Sequence, residues 1–182
     1  MSLGSINLIQ NREIRMKTLI VLRHGKAGPY ARDRKGDKAR SLTERGLRDA
    51  ETMGRLIGTL VKPTLVVSSD AVRARQTAEI ASEAFGYQGK IKLEPAIYDA
   101  DLDTLTEVVR DLPDTADVVM IAGHNPGFSN LSWALAEEGT PSVELPTAAF
   151  AHLEFDAEKW RDVRPGTGRL VGVHTPKGER QE

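Results

Sequence analysis

Short runs of aliphatic residues alternate along the chain with longer segments that repeat apolar positions at helical spacing. Residues 19–22 form an unbroken apolar run that stops at Arg23, His24 and Gly25. Such a run is typical of a strand that is buried on both faces of an α/β sheet. Five further strands are predicted from similar or weaker patterns, over residues 64–69, 91–93, 118–122, 149–155 and 169–173.

Helical periodicity fills the segments between these strands. Residues 43–61 carry apolar side chains at helical spacing, and Ser41 with Glu44 three positions later indicates where that helix starts. Pro63 ends it. Further helices are predicted over residues 70–86 with Asp70 as the cap, 102–112, and 125–138 with Asn125 as the cap. Strands alternating with helices predict an α/β domain whose sheet is covered on both faces.

The length of 182 residues suits one domain. We assign it to residues 16–175. Residues 1–15 show no clear period and are interpreted as a loosely held extension or a cloning remnant. Residues 176–182 form a polar tail that we expect to be frayed. Residues 26–40 are predicted to be a long polar loop, and such loops tend to be functional or mobile.

Composition narrows the chemistry. Hydrophobic residues make up 40% of the chain and charged residues 28%, so a packed core is expected. The absence of Cys excludes disulfides, thiolate metal sites and cysteine nucleophiles. No apolar run approaches the roughly 18–20 residues of a membrane span, and the N-terminus lacks the apolar core of a signal peptide. We therefore expect a cytoplasmic protein without a membrane partner.

Charge is distributed unevenly. Residues 1–50 contain twelve Lys or Arg and five Asp or Glu, whereas residues 89–160 contain four and fourteen. The basic excess surrounds Arg23 and His24, which suits an anionic substrate. Tyr30 is the only aromatic residue in the first 50, so a nucleic-acid partner is not expected.

Polar residues follow three of the predicted strands. Arg23 and His24 follow the strand at residues 19–22, and Arg73 lies just beyond the strand at residues 64–69. His124 and Asn125 follow the strand at residues 118–122. Each residue alone could be an ordinary polar residue at the surface. If the strands are neighbours, two guanidinium groups, two imidazoles and a helix N-terminus after Asn125 converge on one pocket. Guanidinium groups and helix N-termini bind phosphate, and a neutral imidazole can attack phosphorus.

These segments resemble the histidine phosphatase superfamily, which includes phosphoglycerate mutases. Residues 22–25 (Leu-Arg-His-Gly), residues 68–78 with their Arg73, and residues 123–127 (Gly-His-Asn-Pro-Gly) match its three motifs in order. The short chain, residues 42–46 and residues 145–149 resemble the SixA-type phosphohistidine phosphatases in particular. The resemblance covers residues 17–173 approximately.

The resemblance implies a three-layer α/β/α sandwich with a mostly parallel mixed sheet. It implies that His24 is the phosphorylated nucleophile, that Arg23 and Arg73 bind the phosphoryl group, and that His124 completes the pocket. With two guanidinium groups to hold charge, neither metal nor cofactor is expected, and the separation of the two His residues gives no local metal-ligand motif.

The chain departs from the mutase-like branch at the residue that protonates the leaving group. That branch uses a Glu in a Pro-x-Leu-x-Glu pattern, and here residues 95–99 place Asp99 at that position, with Asp101 as a neighbouring option. The SixA-type branch is thought to need no such acid, because phosphohistidine has a good leaving group. Asp99 is therefore either an acid or a loop residue.

Three functions follow as hypotheses. The first is a metal-independent phosphatase that acts through phosphorylated His24, on a protein phosphohistidine or a small phosphorylated substrate. The second is a mutase or sugar-phosphate phosphatase that uses Asp99 or Asp101 as an acid. The third is a non-catalytic module that binds phosphorylated partners. The oligomeric state stays open.

Overall fold

The predicted strands join in one six-stranded sheet. The computed structural model describes residues 15–29 and 36–179, and all structural statements concern these residues. The strands are β1 (Met16–Arg23), β2 (Leu65–Ser68), β3 (Lys92–Leu93), β4 (Val118–Gly123), β5 (Phe150–Asp156) and β6 (Arg169–His174). The helices are α1 (Glu44–Leu60), α2 (Val72–Ala84), α3 (Leu102–Arg110), α4 (Gly127–Leu135) and α5 (Pro176–Glu179), and short 3₁₀ turns lie at Asp37–Ala39, Pro95–Ile97 and Trp160–Asp162.

The sheet is mixed and mostly parallel. Its strand order is β3-β2-β4-β1-β5-β6, and β3, β2, β4 and β1 run parallel to their neighbours. The strand β5 pairs antiparallel with both β1 and β6. This arrangement confirms the predicted fold class. It also makes β2, β4 and β1 consecutive neighbours, so that their carboxyl ends meet at one edge of the sheet.

Two apolar clusters cover the two faces of the sheet. Leu19 and Val21 of β1 belong to the cluster under α3 and α4, whereas Ile20 and Leu22 belong to the cluster under α1 and α2. Side chains alternate between faces along a strand, and all four are fully buried. An uninterrupted apolar run is therefore what a central strand of this sheet needs.

Several element ends differ from the prediction. Thr43, not Ser41, caps α1, because its hydroxyl oxygen accepts a hydrogen bond from the Gly46 amide at 3.1 Å. Ala71 is the residue before α2, and Asp70 instead pairs with Lys38 at 2.9 Å.

The end of α4 and the tail also differ. The predicted helix continued to residue 138, but α4 ends at Leu135, because Ala136 forms a β-bridge with Gly168 and the next amide donates to the Gly168 carbonyl at 2.7 Å. The first part of the tail that we expected to be frayed forms α5, in which Pro176 is buried.

The proposed N-terminal extension lies outside the described residues, apart from the exposed Arg15, and so do residues 180–182. Within the described part of the chain, no helix has the length and apolar character needed to cross a membrane.

A contact between two glycines holds the turn after β1 against α1. A Cβ added to Gly25 would lie 2.7 Å from the Gly46 carbonyl oxygen, and one added to Gly46 would lie 2.2 Å from the Lys26 carbonyl oxygen. Only residues without a side chain permit this approach. The contact therefore positions the segment that follows His24.

We expect Gly46→Ala to destabilise the protein. Alanine gains about 1 kcal/mol over glycine within a helix, but the Cβ would force apart two backbone segments, and overpacking typically costs about 1–3 kcal/mol or more. Urea denaturation should show a net loss in the free energy of unfolding.

Gly28→Ala is the matched control, because its Cβ would meet the nearest atom, the Ser41 carbonyl oxygen, at an ordinary 3.8 Å. Its free energy of unfolding should stay within about 0.5 kcal/mol of the wild-type value. Equal stability of the two variants would contradict the importance of the Gly25–Gly46 contact.

Candidate active site

The ends of β1, β2 and β4 bring His24, Arg73 and His124 together. The His24 amide donates to the Gly123 carbonyl at 2.9 Å, and the His24 carbonyl accepts from the Ala148 amide at 3.0 Å. Its backbone is thus fixed between β4 and the segment before β5. The His24 and His124 ring centroids are 5.3 Å apart.

The hydrogen bonds of His24 define which ring nitrogen is free to react. Its Nδ1 lies 2.7 Å from the Gly25 carbonyl oxygen. A carbonyl can only accept, so Nδ1 carries the proton and Nε2 keeps its lone pair. Nε2 accepts a hydrogen bond from Arg73 Nε at 3.3 Å. The nitrogen that would attack phosphorus is therefore held beside a guanidinium group.

Burial keeps this imidazole neutral. Desolvation, aided by the nearby charges of Arg73, Arg23 and Arg40 and opposed by the hydrogen bond to the Gly25 carbonyl, lowers the pKa of His24 to about 4. At neutral pH, the imidazole of His24 is consequently uncharged.

Arg73 is a buried guanidinium whose partners come from two directions. Besides its bond to His24, its Nη1 donates to the Asp37 carbonyl at 2.9 Å and its Nη2 to the Asp37 carboxylate at 2.9 Å. Thr77, one turn further along α2, donates to the Arg73 carbonyl at 2.7 Å and accepts from the Gly25 amide at 3.0 Å. This link ties the start of α2 to the turn after His24.

Arg23 reaches toward the segment before β5. Its Nη1 donates to the Leu145 carbonyl at 2.8 Å, while its buried Nε has no hydrogen-bond partner among the described residues. A buried donor without an acceptor is costly, and an oxyanion in the pocket could supply one. Burial lowers the pKa of Arg23, and the charge of Glu144 opposes that shift.

His124 lies between His24 and Tyr98. Its ring centroid is 5.4 Å from that of Tyr98 in an edge-to-face arrangement, and its Nε2 lies 2.8 Å from the Ser69 hydroxyl. Burial, followed by the influence of His24 and Arg73, lowers the pKa of His124 to about 3. The second imidazole is thus also neutral at neutral pH.

The predicted phosphate ligand Asn125 uses its side chain within the protein. Its amide nitrogen donates to the Leu145 carbonyl at 2.9 Å, and its oxygen accepts from the amide and hydroxyl of Ser129 at 3.1 and 3.0 Å. The helix α4 begins at Gly127, and its Phe128 amide donates to the His124 carbonyl at 2.9 Å.

The two candidate acids make no hydrogen bond or ion pair to the four predicted site residues in the part of the chain described. Asp99 is exposed, in a turn with a φ of 51°. Asp101 caps α3, since its carboxylate accepts from the Thr104 amide at 2.8 Å. The residue of this turn that approaches the site is instead Tyr98.

The structure places a different carboxylate, that of Asp37, at the site. It accepts from Tyr98 Oη at 2.7 Å and pairs with Arg40 at 2.9 Å, in addition to its bonds with Arg73. The hydrogen bond from Arg40, followed by those from Tyr98 and Arg73, holds the pKa of Asp37 well below its usual range. The hydrogen bond to Asp37 raises the pKa of Tyr98.

Asp37 was not among the predicted site residues; it lies in the polar loop of residues 26–40, whose basic charge alone was used in the prediction. The one available signal was the position of Asp37 in the basic segment before α1, three residues from Arg40. Nothing in its spacing indicates that it folds back onto Arg73. Among residues 15–29 and 36–179, no group of three or more His, Asp or Glu side chains could hold a metal ion.

Comparison with known proteins identifies the family. Residues 19–117 match the model of the histidine phosphatase superfamily (branch 1). The uncharacterized protein Rv1276c of Mycobacterium tuberculosis (strain ATCC 25618 / H37Rv) is 33% identical over 165 residues, which cover 86% of this chain and 100% of that protein. The chain belongs to the histidine phosphatase superfamily, and the resemblance found in its motifs is confirmed.

Solved structures share the fold. The proposed phosphohistidine phosphatase SixA from Agrobacterium tumefaciens has a TM-score of 0.73 and 28% identity, covering 88% of this chain and 98% of that one. The protein histidine phosphatase SixA complexed with tungstate has a TM-score of 0.74 at 22% identity, with 88% and 98% covered, and shows the fold alone. The family and its SixA-like neighbours support a phosphatase.

We expect the pKa values of His24 and His124 to lie well below that of an exposed imidazole. NMR titration should give a midpoint for His24 of about 4 and for His124 of about 3, each below the ordinary 6.5. Because the unfolded chain binds these protons near pH 6.5, stability should decrease as the pH falls below that value. The His24→Asn variant assigns the resonances, and a His24 midpoint near 6.5 would contradict the neutral resting nucleophile.

We expect Asp37→Asn to strengthen the binding of inorganic phosphate. The carboxylate bound to Arg73 repels an anion at the same guanidinium, and removing one such charge at an effective dielectric constant near 20 changes binding by roughly 1–2 kcal/mol, or about fivefold to thirtyfold. The inhibition constant of phosphate measures this effect.

The control is Glu158→Gln, which removes an exposed charge beyond the carboxyl end of β5, at the opposite edge of the sheet. Its phosphate inhibition constant should match that of the wild type. Weaker phosphate binding by Asp37→Asn would instead show that the carboxylate is needed to hold Arg73 in place.

Proposed function

We propose that the protein is a metal-independent phosphatase that forms a phosphohistidine on His24. The observation that carries this proposal is the state of the His24 ring: Nδ1 donates to the Gly25 carbonyl, and the unprotonated Nε2 lies 3.3 Å from Arg73 Nε. A nitrogen lone pair beside a permanent cation suits attack on a phosphoryl group whose oxygens that cation can bind.

The reaction has two displacements. In the first, His24 Nε2 forms a bond to phosphorus as the bond from phosphorus to the leaving group breaks, and the leaving group departs with its electron pair and takes up a proton. In the second, a water oxygen attacks phosphorus as the bond from phosphorus to Nε2 breaks, the electron pair returns to Nε2, the water gives up a proton to solvent, and inorganic phosphate departs, which restores neutral His24. Arg23, Arg73 and His124 stabilise the charge on the equatorial oxygens.

The charge state of the site favours substrates with a good leaving group. Asp37, the carboxylate that touches Arg73, is ionised and cannot serve as a general acid at neutral pH, since its pKa lies well below the usual range. An imidazole leaving group from phosphohistidine, or a phenolate from an aryl phosphate, departs with little help. We therefore propose a protein phosphohistidine, another phosphoramidate or a reactive phosphate ester as the substrate class.

The solved SixA relatives support this substrate class. One of them, the proposed phosphohistidine phosphatase SixA from Agrobacterium tumefaciens, is 28% identical to this chain. The mutase or sugar-phosphate alternative would need Asp99 or Asp101 as an acid. In the structure the first is exposed and the second caps α3.

Replacement of the nucleophile tests the mechanism. We expect His24→Asn to reduce hydrolysis of p-nitrophenyl phosphate by at least about 1,000-fold, because the first displacement needs the Nε2 lone pair. Incubation of the wild-type protein with EDTA should leave its rate unchanged. Activity retained in His24→Asn, or loss of wild-type activity with the chelator, would refute the proposed reaction.

A substrate comparison tests the leaving-group argument. The ratio of kcat/KM for a phosphohistidine-containing protein to that for an alkyl phosphate should exceed about 100, because the Asp37 carboxylate at Arg73 is ionised and has no proton to give to an alkoxide. Asp99→Asn should leave both values within about twofold. Efficient alkyl phosphate hydrolysis that depends on Asp99 would instead establish the sugar-phosphate alternative.

A further inference from the structure

A buried hydroxyl contacts the second imidazole of the site. Ser69, the residue after β2, is fully buried, and its Oγ lies 2.8 Å from His124 Nε2. The same Oγ accepts a hydrogen bond from the Ala71 amide at 3.2 Å. The other ring nitrogen of His124, Nδ1, is also buried and has no hydrogen-bond partner in the described part of the chain.

The number of donors and acceptors at Ser69 indicates the direction of its bond to His124. A hydroxyl has one proton to donate and two acceptor sites, and the Ala71 amide already occupies one of those sites. If His124 donated from Nε2, the Ser69 proton would be left without an acceptor among the described contacts, inside a buried site. If Ser69 donates instead, its proton is used, and the donor left without a partner is the Nδ1–H of His124, which an oxyanion bound in the site would satisfy. Buried polar groups are almost always satisfied.

We infer that Ser69 is a positioning residue that fixes His124 in the tautomer with its proton on Nδ1. This inference rests on the proposed function, in which His124 donates a hydrogen bond to the transferring phosphoryl group. A neutral imidazole carries only one N–H, so a proton on Nε2 would be used in the hydrogen bond to Ser69. The remaining nitrogen would then present a lone pair to the anion, which repels it.

Ser69 thus has two separable tasks. Its bond from the Ala71 amide shapes the turn between β2 and α2, and its bond to His124 selects the tautomer. The neighbouring Ser68 provides a matched control, because it is equally buried but its hydroxyl donates to the Ser69 carbonyl at 2.9 Å and not to the imidazole.

Long-range ¹H–¹⁵N NMR spectra test the tautomer directly at pH 7. In the wild-type protein, His124 Nδ1 should show the chemical shift of a protonated ring nitrogen and Nε2 that of an unprotonated one. Ser69→Ala should move the proton toward Nε2, or average the two shifts, whereas Ser68→Ala should leave the spectrum unchanged. A wild-type spectrum with the proton on Nε2 would overturn the inference without any variant.

Kinetics with p-nitrophenyl phosphate supply the second readout. We expect Ser69→Ala to lower kcat about 10- to 100-fold with a smaller change in KM, since the lost interaction matters most in the transition state. Ser69→Thr, which keeps the hydroxyl, should restore at least a third of the decrease in log kcat that Ser69→Ala causes. Ser68→Ala should stay within about twofold of the wild-type rate.

The outcomes separate this inference from the proposed function. Unchanged kcat and an unchanged Nδ1 proton in a folded Ser69→Ala variant would overturn the role of Ser69, while loss of activity in His24→Asn would still support the phosphatase. If Ser69→Ala does not fold, the wild-type spectrum and the Ser69→Thr variant decide the question. Full activity in His24→Asn would overturn the proposed function whatever the tautomer of His124.

Discussion

The site depends on burying two imidazoles beside permanent cations. Desolvation disfavours a proton on His24 or His124, and the nearby charge of Arg73 disfavours it further. The same guanidinium group that would bind a phosphoryl oxygen therefore also keeps His24 Nε2 unprotonated. Affinity for an anion and a reactive nucleophile arise from one arrangement, so neither property can be altered without affecting the other.

The strand order makes that arrangement possible. Since β4 lies between β1 and β2, the residues after these three strands share one edge of the sheet. Two backbone hydrogen bonds of His24, the bond from the Gly25 amide to the Thr77 hydroxyl and the Gly25–Gly46 contact then fix the position of the turn after His24. The candidate site residues thus follow buried strands, which suits chemistry that requires accurate positioning.

Much of this could be predicted from the sequence, because the signals are local. Uninterrupted apolar runs mark central strands; Arg23, His24 and His124 stand where two of those strands end, and Arg73 lies in the first turn of the helix that follows β2. The roles of Asp37 and of the Asn125 amide were not predictable. Each depends on which residues a loop contacts in the folded protein, and the periodicity of the sequence does not indicate such contacts. The end of α4 was missed for the same reason: the bridge to Gly168 outcompetes the helical pattern.

The charge of Asp37 bears on which leaving groups the site can expel. Asp37 brings a negative charge to Arg73 without being able to donate a proton, so it weakens the attraction for an anion and provides no acid catalysis in return. Hydrolysis of an unreactive alkyl ester requires protonation of its leaving group, whereas a substrate with a good leaving group does not require it. The ionised carboxylate at Arg73 therefore supports the proposal of a phosphohistidine substrate on grounds that do not depend on any resemblance.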